Sequence, residues 1–442
     1  MANEQVIKPR IFKGTRDFLP EEMVQRERII TTLKNIFSRY GYQPMETPSI
    51  EYLEILTGKY GEEGDKLIYP LAYKGGKELA LRYDLTVPLS RVVAMYPHMP
   101  KPFKRYQIQP VWRADQPQLV RGRYREFYQC DADTIGSTSL IVDAEIIALT
   151  YNVLKALGFQ DFVIRINSRK VLTGIIEMTG LSDGMESTIC RSLDKLEKIG
   201  ETEVKKELKE KELPDAAIDT LWNILNVQGT VSEILSHLEN NPKVTGKMSE
   251  ALKEIRELFN YIESFEIPEA SYRWDLHLAR GLDYYTGPIY ESVLPKHPHI
   301  GSLTGGGRYD HLIGMFLGQD VPAAGTTIGL DRIFTALQQL NLLEGSKSSV
   351  QIMVCRFSEN ETSHNIKITQ MLRDAGFNVE LYPDTDKLGK QFGFADKKGI
   401  PLVIVQGPDE VINNIVTVKD LRAGSQKQVA VNELIGYMKQ VI

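Results

Sequence analysis

The sequence predicts an α+β protein with more than one domain, and three observations carry this prediction. Helix-period apolar patterns open the chain, strand and turn signals fill residues 79–134 and 272–329, and a compact alternation of strands and helices follows residue 350. At 442 residues the chain is long enough for two or three domains. About 42% of the residues are hydrophobic, so a large core can form without disulfides or metals.

The first elements are a helix and an extended segment. Residues 23–40 place apolar side chains on one helical face and are followed by Gly41, which predicts an amphipathic helix. Residues 45–50 include proline and predict an edge strand or an extended segment. Residues 79–134 predict mostly short strands and turns, and residues 141–157 predict a strongly apolar helix.

The middle of the chain changes composition near Ser182. From there to about Ser264 it is rich in Lys, Glu and Leu and poor in strand formers, which predicts a separate helical insertion. The charged run at residues 201–212 is typical of a solvated helix face, and contact of its lysines with an RNA backbone is the alternative. Residues 330–340, after the second strand region, predict a helix.

The C-terminal part predicts a small α/β domain behind a short polar linker at residues 344–349. Strands are predicted at residues 351–357, 379–382 and 402–405. A helix is predicted at residues 361–375, and a polar helix lies between the last two strands.

Several classes of protein are excluded or disfavoured. No apolar run reaches the roughly 18 residues that cross a bilayer, and the polar N-terminus predicts no secretion signal. Cys130, Cys190 and Cys355 fit neither a disulfide framework nor a zinc site, so we expect buried, reduced thiols in a reducing cytosol. The net charge of −5 argues against a general nucleic-acid coat, while local basic patches for RNA remain compatible with it.

Two segments carry polar side chains in a pattern suited to binding. Asp84 and Thr86 are two residues apart, so on a strand they would face the same side and could hold a substrate ammonium; a solvated aspartate is the alternative. Residues 106–136 hold a dense set of arginines and acceptors: Arg113, Arg121, Arg123, Arg125, Glu126, Gln129, Asp131 and Asp133. Guanidinium groups suit phosphate, and a loop at residues 114–122 could close over a triphosphate or an RNA end; a salt-bridged surface hairpin is the alternative. Gln129, Asp131 and Asp133 alternate and so share one face of a strand.

Two further segments combine glycine with arginine. The stretch from Ala279 to Gly287 contains Arg280, Tyr284 and Tyr285, which suit a pocket for a planar polar ligand. The run Gly305-Gly306-Gly307 permits close approach of backbone to a ligand, and the stretch from Gly325 to Arg332 precedes a helix. Neither a P-loop nor a dinucleotide-binding glycine motif is present, so those nucleotide folds are excluded.

Together these segments resemble the histidyl-tRNA synthetases, enzymes of class II, over nearly the whole chain. The matching segments are Gly14 to Pro20 (the family's opening motif), Pro48 (the motif 1 proline), Arg113 to Glu126 (motif 2), Gly325 to Arg332 (motif 3), and the histidine-specific Asp84-Leu85-Thr86 and Arg280 to Tyr285. The resemblance implies a class II antiparallel sheet flanked by helices. The expected limits are residues 1–181 and 265–343 for the catalytic domain, 182–264 for the helical insertion, and 350–442 for the α/β anticodon-binding domain.

The resemblance also implies the activity and its residues. The expected reaction is ATP-dependent activation of L-histidine followed by transfer to tRNA(His), with Mg²⁺ assisting, in a cytoplasmic homodimer with no membrane contact. Arg113 and Arg280 are the expected catalytic residues, and Arg113 also belongs to the expected ATP site. The other expected ligands are Arg121, Glu126 and Arg332 for ATP, and Asp84, Thr86, Gln129, Asp133, Tyr284 and Tyr285 for histidine. No metal ligands are predicted.

Two other functions fit parts of this pattern. One is a catalytically inactive paralog that regulates histidine biosynthesis, although such proteins usually lack the anticodon-binding domain and the stretch from Arg280 to Tyr285. The other is an RNA-sensing pseudo-synthetase module without chemistry, against which the complete set of arginines argues. Histidine-dependent exchange of pyrophosphate into ATP distinguishes the enzyme from both.

Overall fold

A computed structural model describes residues 7–59, 64–181, 184–280, 284–343, 345 and 347–442, with the side chain of Arg121 excepted. The chain divides into two compact units. The first contains Ile29–Leu342 and the described residues up to Arg16, and the second contains Asp17–Arg28 and Leu343–Ile442. Among the described helices, none combines the length and the apolar character that a bilayer crossing requires.

The elements up to residue 178 are α1 (Pro20–Arg39), β1 (Gln43–Pro44), β2 (Ile50–Tyr52), α2 (Leu53–Leu56), β3 (Tyr69–Leu71), β4 (Leu79–Leu81), α3 (Thr86–Met95), β5 (Phe103–Trp112), β6 (Glu126–Ile135), α4 (Leu140–Ala156), β7 (Val163–Ser168) and α5 (Arg169–Met178). The next are the helices α6 (Glu186–Leu193), α7 (Leu196–Glu210), α8 (Asp215–Leu225), α9 (Val231–Glu239) and α10 (Gly246–Ser264). The first unit ends with β8 (Tyr272–Trp274), β9 (Pro288–Val293), β10 (Thr304–Arg308), α11 (Gly314–Leu317), β11 (Ala323–Gly329) and α12 (Leu330–Gln339).

A large sheet organises the first unit. Among the described residues it has eight strands in the order β1-β5-β6-β11-β10-β9-β7-β8. The pairs from β5 to β7 are antiparallel, and only the outer pairs β1–β5 and β7–β8 are parallel. Pro44 lies on the edge strand β1, where the missing N–H costs no ladder hydrogen bond. A small second sheet has the order β2-β4-β3.

The helix α4 covers this sheet and is itself covered by the helix α10. Ser139 caps it, since its hydroxyl accepts a hydrogen bond from the N–H of Ile141 at 3.3 Å. Its side chains are buried on several faces, because it packs against β10 and β11 and also against α10. The described residues from 186 to 264 form only helices and their connections, so the predicted helical character of the insertion is confirmed.

The C-terminal elements are β12 (Ile352–Val354), α13 (Thr362–Asp374), β13 (Val379–Leu381), α14 (Leu388–Lys397), β14 (Leu402–Val405), α15 (Pro408–Ile412), β15 (Ile415–Asp420), β16 (Ser425–Ala430) and α16 (Leu434–Val441). They form a sheet with the order β13-β12-β14-β15-β16. Along β12, Ile352 and Val354 pack on a core with Leu372 and Leu434, while Met353 packs on the opposite face. Both faces of this strand are therefore covered, and the predicted α/β alternation is confirmed.

Other sequence predictions have mixed outcomes. The first helix is confirmed, with α1 at Pro20–Arg39. All three cysteines are buried and none of them forms a disulfide, as expected. The prediction of mostly short strands over residues 79–134 is wrong, because this region contains the helix α3 and two strands of ten residues each, β5 and β6. The predicted linker includes residues 344 and 346, which lie outside the described part of the chain.

Candidate active site

A cavity of about 270 Å³ lies on one face of the large sheet, over β6, β10 and β11. Most of the residues predicted for the site line it: Asp84, Thr86, Arg113, Gln129, Asp133, Arg280, Tyr284, Tyr285 and Arg332. These residues come from stretches that are far apart in sequence, so folding alone brings them together. The cavity is therefore the candidate active site.

The floor of the cavity is a polar face of neighbouring strands. Gln129, Asp131 and Asp133 alternate along β6 and all line the cavity, so the prediction that they share a face is confirmed. On the adjacent β11, Gly325 lies opposite Asp133 and Thr327 lies opposite Asp131. A Cβ on Gly325 would lie 1.9 Å from Oδ1 of Asp133. Only glycine at this position leaves room for the carboxylate.

One ion pair and one hydrogen bond hold Asp133 in place. Arg105, whose side chain is fully buried, places Nη2 2.9 Å from Oδ2 of Asp133. The hydroxyl of Tyr309 donates a hydrogen bond to Oδ1 of the same carboxylate. Burial raises the pKa of Asp133, and the charge of Arg105 and the hydrogen bond from Tyr309 act in the opposite direction. The carboxylate is thus oriented by the protein itself.

Asp131 and Gln129 offer acceptors to a ligand. Oδ1 of Asp131 and Oε1 of Gln129 are buried and have no hydrogen-bond partner within the described part of the chain. Nε2 of Gln129 donates to the hydroxyl of Thr327 at 3.1 Å, which leaves the amide oxygen available. Burial raises the pKa of Asp131 to about 7; the charge of Arg105 lowers it and that of Asp133 raises it. Buried acceptors of this kind suit the N–H donors of a ligand.

Asp84 and Thr86 reach the cavity from the start of a helix, and the predicted strand is wrong. Thr86 is the first residue of α3, and Oδ1 of Asp84 accepts a hydrogen bond from the N–H of Val87 at 3.0 Å. This carboxylate therefore satisfies an amide of the first helical turn, where no intrahelical acceptor exists. Pro88 fits the same turn, since a missing N–H costs nothing there.

Tyrosine rings form one wall of the cavity. The ring centroids of Tyr284 and Tyr285 are 4.8 Å apart, and those of Tyr284 and Tyr309 are 6.1 Å apart in an edge-to-face arrangement. Burial raises the pKa of Tyr284 well above its usual value, so its hydroxyl keeps the proton and can donate it to a hydrogen bond. The residues of the motif between Arg280 and Tyr284 lie outside the described part of the chain.

Arginine side chains form the other end of the cavity. Arg113 follows β5, donates from Nε to the carbonyl of Tyr83 at 3.1 Å, and places its guanidinium 4.2 Å from the centre of the Tyr83 ring. The guanidinium of Arg280 lies 5.8 Å from the centre of the Tyr285 ring. These ring faces fix planar cations by cation–π attraction.

Arg332 lies in the first turn of α12. Its Nη1 donates to the carbonyl of Ser302 at 2.7 Å and to the hydroxyl of Ser302 at 3.1 Å. Burial lowers the pKa of Arg332, and the charges of Arg123, Arg113 and Arg280 lower it further. The guanidinium groups therefore repel one another across the cavity, and a polyanion bound among them would relieve that repulsion.

For two predicted residues the assignment to the site stays a prediction. Glu126 begins β6, is exposed and does not line the cavity, and its assignment to the nucleotide stays a prediction. Arg121 ends a short 3₁₀ turn, and its side chain lies outside the described part of the chain.

Sequence reasoning missed several residues that shape the site. Asp115 lines the cavity and pairs with Arg123 at 2.9 Å, and Asp331 accepts from the N–H of Tyr128 at 2.9 Å. Arg105 and Tyr309, the two partners of Asp133, were also missed, and for Tyr309 no local pattern indicates a contact that the fold alone creates. For Arg105 a signal existed: in the run Arg105-Tyr106-Gln107-Ile108-Gln109, polar residues alternate and indicate one polar strand face.

The antiparallel sheet and its arginine-lined cavity, joined to a second α/β unit, define an aminoacyl-tRNA synthetase of class II. The family described as "Histidyl-tRNA synthetase" matches residues 14–333, and the family described as "Anticodon binding domain" matches residues 351–441. The chain belongs to the histidyl-tRNA synthetase family. It is accordingly an enzyme that uses ATP to join histidine to tRNA.

Proteins of similar sequence match almost the whole length of this chain. The histidine--tRNA ligase of Gloeobacter violaceus is 43% identical over 448 residues, with 94% of this chain and 95% of that protein covered. The histidine--tRNA ligase of Cytophaga hutchinsonii is 42% identical, with 97% and 99% covered. The crystal structure of histidyl-tRNA synthetase from Nostoc sp. has a TM-score of 0.88 at 32% identity and covers 99% of this chain.

One similar structure bears on the alternative of a regulatory paralog. A protein of Bacillus halodurans, described as an ATP phosphoribosyltransferase regulatory subunit/histidyl-tRNA synthetase, has a TM-score of 0.73 at 26% identity and covers 87% of this chain. The Nostoc synthetase is the better match on each of these measures. Together with the near-complete coverage by histidine--tRNA ligases, this supports the enzyme over the regulatory paralog.

Proposed function

We propose that this chain joins L-histidine to ATP in the cavity described above and then transfers the histidyl group to tRNA(His). The supporting observation is that Arg113, Arg280 and Arg332 line the same cavity as Asp84, Gln129 and Asp133. A cationic end and an acidic end in one cavity match a triphosphate and an amino acid that carries an ammonium group.

In the first step the carboxylate of histidine attacks the α-phosphate of ATP, a bond to the α-phosphate forms, and pyrophosphate leaves. The nucleophile is already ionised at neutral pH, so the step requires no general base. What limits the step is alignment and the negative charge that gathers at the α-phosphate. Arg113 and Arg280 would contact the α-phosphate and stabilise that charge, because fixed cations need no reorganisation during the reaction.

The remaining phosphates would meet a second group of cations. Arg332 and Arg121 would neutralise the β- and γ-phosphates, with Glu126 also in the ATP site. The described residues contain no cluster of three or more His, Cys, Asp or Glu side chains that could hold a metal ion. Asp115 and Asp331, the carboxylates at this end, are already engaged by Arg123 and by the N–H of Tyr128. Mg²⁺ is proposed to enter with the ATP phosphates, whose oxygens are the ligands that it prefers.

Histidine would be recognised at both of its ends. Asp84 and Thr86 would hold the ammonium, while Gln129, Asp133 and Tyr285, with Tyr284 beside it, would contact the imidazole. The two ring nitrogens need one donor and one acceptor, a combination that isosteric apolar side chains cannot offer. Sites built on such hydrogen bonds reject competitors by about 10⁴–10⁵-fold without proofreading.

In the second step a hydroxyl of the terminal tRNA ribose would attack the adenylate and release AMP. The domain at residues 350–442 would bind the anticodon, whose unpaired bases suit stacking and edge contacts. We propose residues 1–181 and 265–343 as the catalytic domain and 182–264 as its helical insertion. The proposed location of the enzyme is the cytoplasm.

We also propose a homodimer, through the segment that contains Pro48. Apolar side chains near it remain exposed in a single chain, namely those of Ile50, Tyr52, Met95 and Tyr96. A second copy that covered them would remove this apolar area from water. Sedimentation equilibrium measures the mass directly, and a monomer at micromolar concentration would contradict the proposal.

The exchange of labelled pyrophosphate into ATP tests the proposed function. Purified protein should catalyse this exchange with L-histidine and with no other standard amino acid. A variant with Arg113→Ala should lower the rate by roughly 10²–10³-fold. Absence of exchange in the unmodified protein would refute the proposed function and leave a regulatory paralog or an RNA-binding module.

A further inference from the structure

We propose that Arg105 is a positioning residue for the selection of histidine, one that holds the imidazole-binding and ammonium-binding groups of the cavity at a fixed separation. It does not line the cavity, and it acts through Asp133 and through the backbone beside Asp84. The proposal rests on the proposed function, since the histidine contacts of those residues are part of it.

The geometry of the Arg105 guanidinium carries the inference. Its Nη2 forms an ion pair with Oδ2 of Asp133 at 2.9 Å and donates a hydrogen bond to the carbonyl oxygen of Leu85 at 3.2 Å. Leu85 stands between Asp84 and Thr86, the proposed ammonium ligands. One nitrogen thus joins the floor of the cavity to the segment that enters α3.

A chain of buried side-chain hydrogen bonds through Gln107 also fixes the guanidinium. Its Nη1 donates to Oε1 of Gln107 at 3.4 Å. Nε2 of Gln107 in turn donates to the hydroxyl of Thr47 at 2.9 Å and to Oε1 of Gln109 at 2.6 Å. Arg105 and Gln107 are fully buried. A side chain that is fixed on both sides and shielded from water can set a distance, whereas a solvated one cannot.

Charge gives Arg105 a second effect. Asp133 is faced by Asp131 on its own strand, by Asp84 from the start of α3, by Tyr309 after β10, and by Arg105 from β5. Two of these groups are carboxylates, so the positive charge of Arg105 favours the ionised form of Asp133. Removal of that charge would leave a buried carboxylate next to two others, which favours its protonation.

Lysine and leucine variants separate these effects. Arg105→Lys keeps the charge but loses the planar fork, in which Gln107 holds Nη1 while Nη2 faces Asp133 and Leu85; Arg105→Leu loses both the charge and the fork. In either variant the KM for histidine should rise about 10- to 100-fold, while the KM for ATP stays within about twofold. In Arg105→Leu the KM for histidine should also fall as the pH rises, because Asp133 then regains its charge. The leucine variant should in addition lose preference for histidine over β-(2-thienyl)alanine, an isostere whose ring lacks both nitrogens.

Arg165 provides the matched control. It is a buried arginine on β7 of the same sheet, with Nε 2.7 Å from Oδ2 of Asp275, and it does not line the cavity. Arg165→Lys should leave the KM for histidine unchanged. Thermal unfolding of each variant shows whether it is folded at the assay temperature, and Arg105→Lys provides the test if Arg105→Leu is not.

The outcomes distinguish this inference from the proposed function. If the unmodified protein shows no histidine-dependent exchange, the proposed function fails and the inference fails with it. If the unmodified protein is active and folded Arg105→Lys raises both KM values equally, or changes neither, the positioning by Arg105 is refuted alone. A rise confined to the KM for histidine, with the Arg165→Lys control unchanged, supports it.

Discussion

The guanidinium of Arg280 lies so close to the backbone of Gly305 that a Cβ at Gly305 would sit 2.4 Å from Nη1 of Arg280. Gly305→Ala should therefore displace this guanidinium while leaving its charge in the protein. A misplacement of about 1 Å can cost up to about a hundredfold in rate, so we expect a fall of that order in the kcat of pyrophosphate exchange.

The control for this prediction is Gly246→Ala at the start of α10, where an added Cβ would meet no atom within 4 Å. This variant should exchange pyrophosphate at the unmodified rate. Full activity in Gly305→Ala would show that the position of Arg280 does not matter for the first step.

Asp84 has two functions that two substitutions separate. Its Oδ1 accepts from the N–H of Val87 at 3.0 Å, and its charge is proposed to hold the histidine ammonium. Asp84→Asn keeps an acceptor for the helix amide but loses the charge, so the KM for histidine should rise at unchanged stability. Asp84→Ala loses both and should also lower the free energy of unfolding by about 1 kcal/mol. Denaturant titrations and exchange kinetics measure the two effects, and equal histidine KM values in Asp84→Asn and the unmodified protein would contradict the ammonium contact.

Asp131 should make histidine binding depend on pH. Burial raises its pKa to about 7, so near neutral pH the free protein holds part of a proton on this carboxylate. A bound N–H or ammonium favours the ionised form and lowers the pKa in the complex, so binding should release a fraction of a proton, and the affinity should rise between about pH 6 and pH 8.

Calorimetry in two buffers of different ionisation enthalpy measures this proton release. The control is Asp131→Asn. In this variant the proton release that comes from Asp131 should be absent, and only the release that comes from free histidine should remain. Equal proton release by both proteins would show that Asp131 does not change its ionisation on binding.

Asp143 and Arg308 form a buried ion pair that supports the sheet beneath the cavity. Nε of Arg308 donates to Oδ2 of Asp143 at 3.2 Å, and the carboxylate is fully buried. Asp143→Ala removes the buried charge partner of Arg308 and leaves only the longer pair with Asp310 at 3.4 Å, so it should cost about 3–5 kcal/mol in the free energy of unfolding. Asp161→Ala, which breaks the exposed pair with Lys296, should change it by less than about 1 kcal/mol. Similar losses in the two variants would contradict this difference.

The periodic parts of the fold were predictable from sequence, because burial of one face leaves a repeating signal. The helix α1, the helices of the insertion and the alternation after residue 350 all carry such a signal. The segment that begins α3 carries no such signal. Thr86, Val87 and Pro88 favour an extended conformation unless the capping contact of Asp84 is known.

The site was predictable where residue types cluster along the chain and not where tertiary packing selects a lone residue. Arg113, Gln129 and Asp133 stand in one dense segment, and Arg332 ends a glycine-marked one. Tyr309 acquires its contact to Asp133 only through the fold, across 176 positions of sequence. No local pattern reports a contact of that kind.

The most direct test of the account is a crystal structure of the protein with a non-reactive sulfamoyl analogue of histidyl-adenylate. The account predicts one molecule in the cavity, with Arg113 and Arg280 at about 3 Å from the sulfamoyl oxygens, Asp84 at the ammonium and Gln129 beside the imidazole. An analogue bound in another cavity, or one that touches neither Arg113 nor Arg280, would contradict the claim that these guanidinium groups surround a single nucleotide.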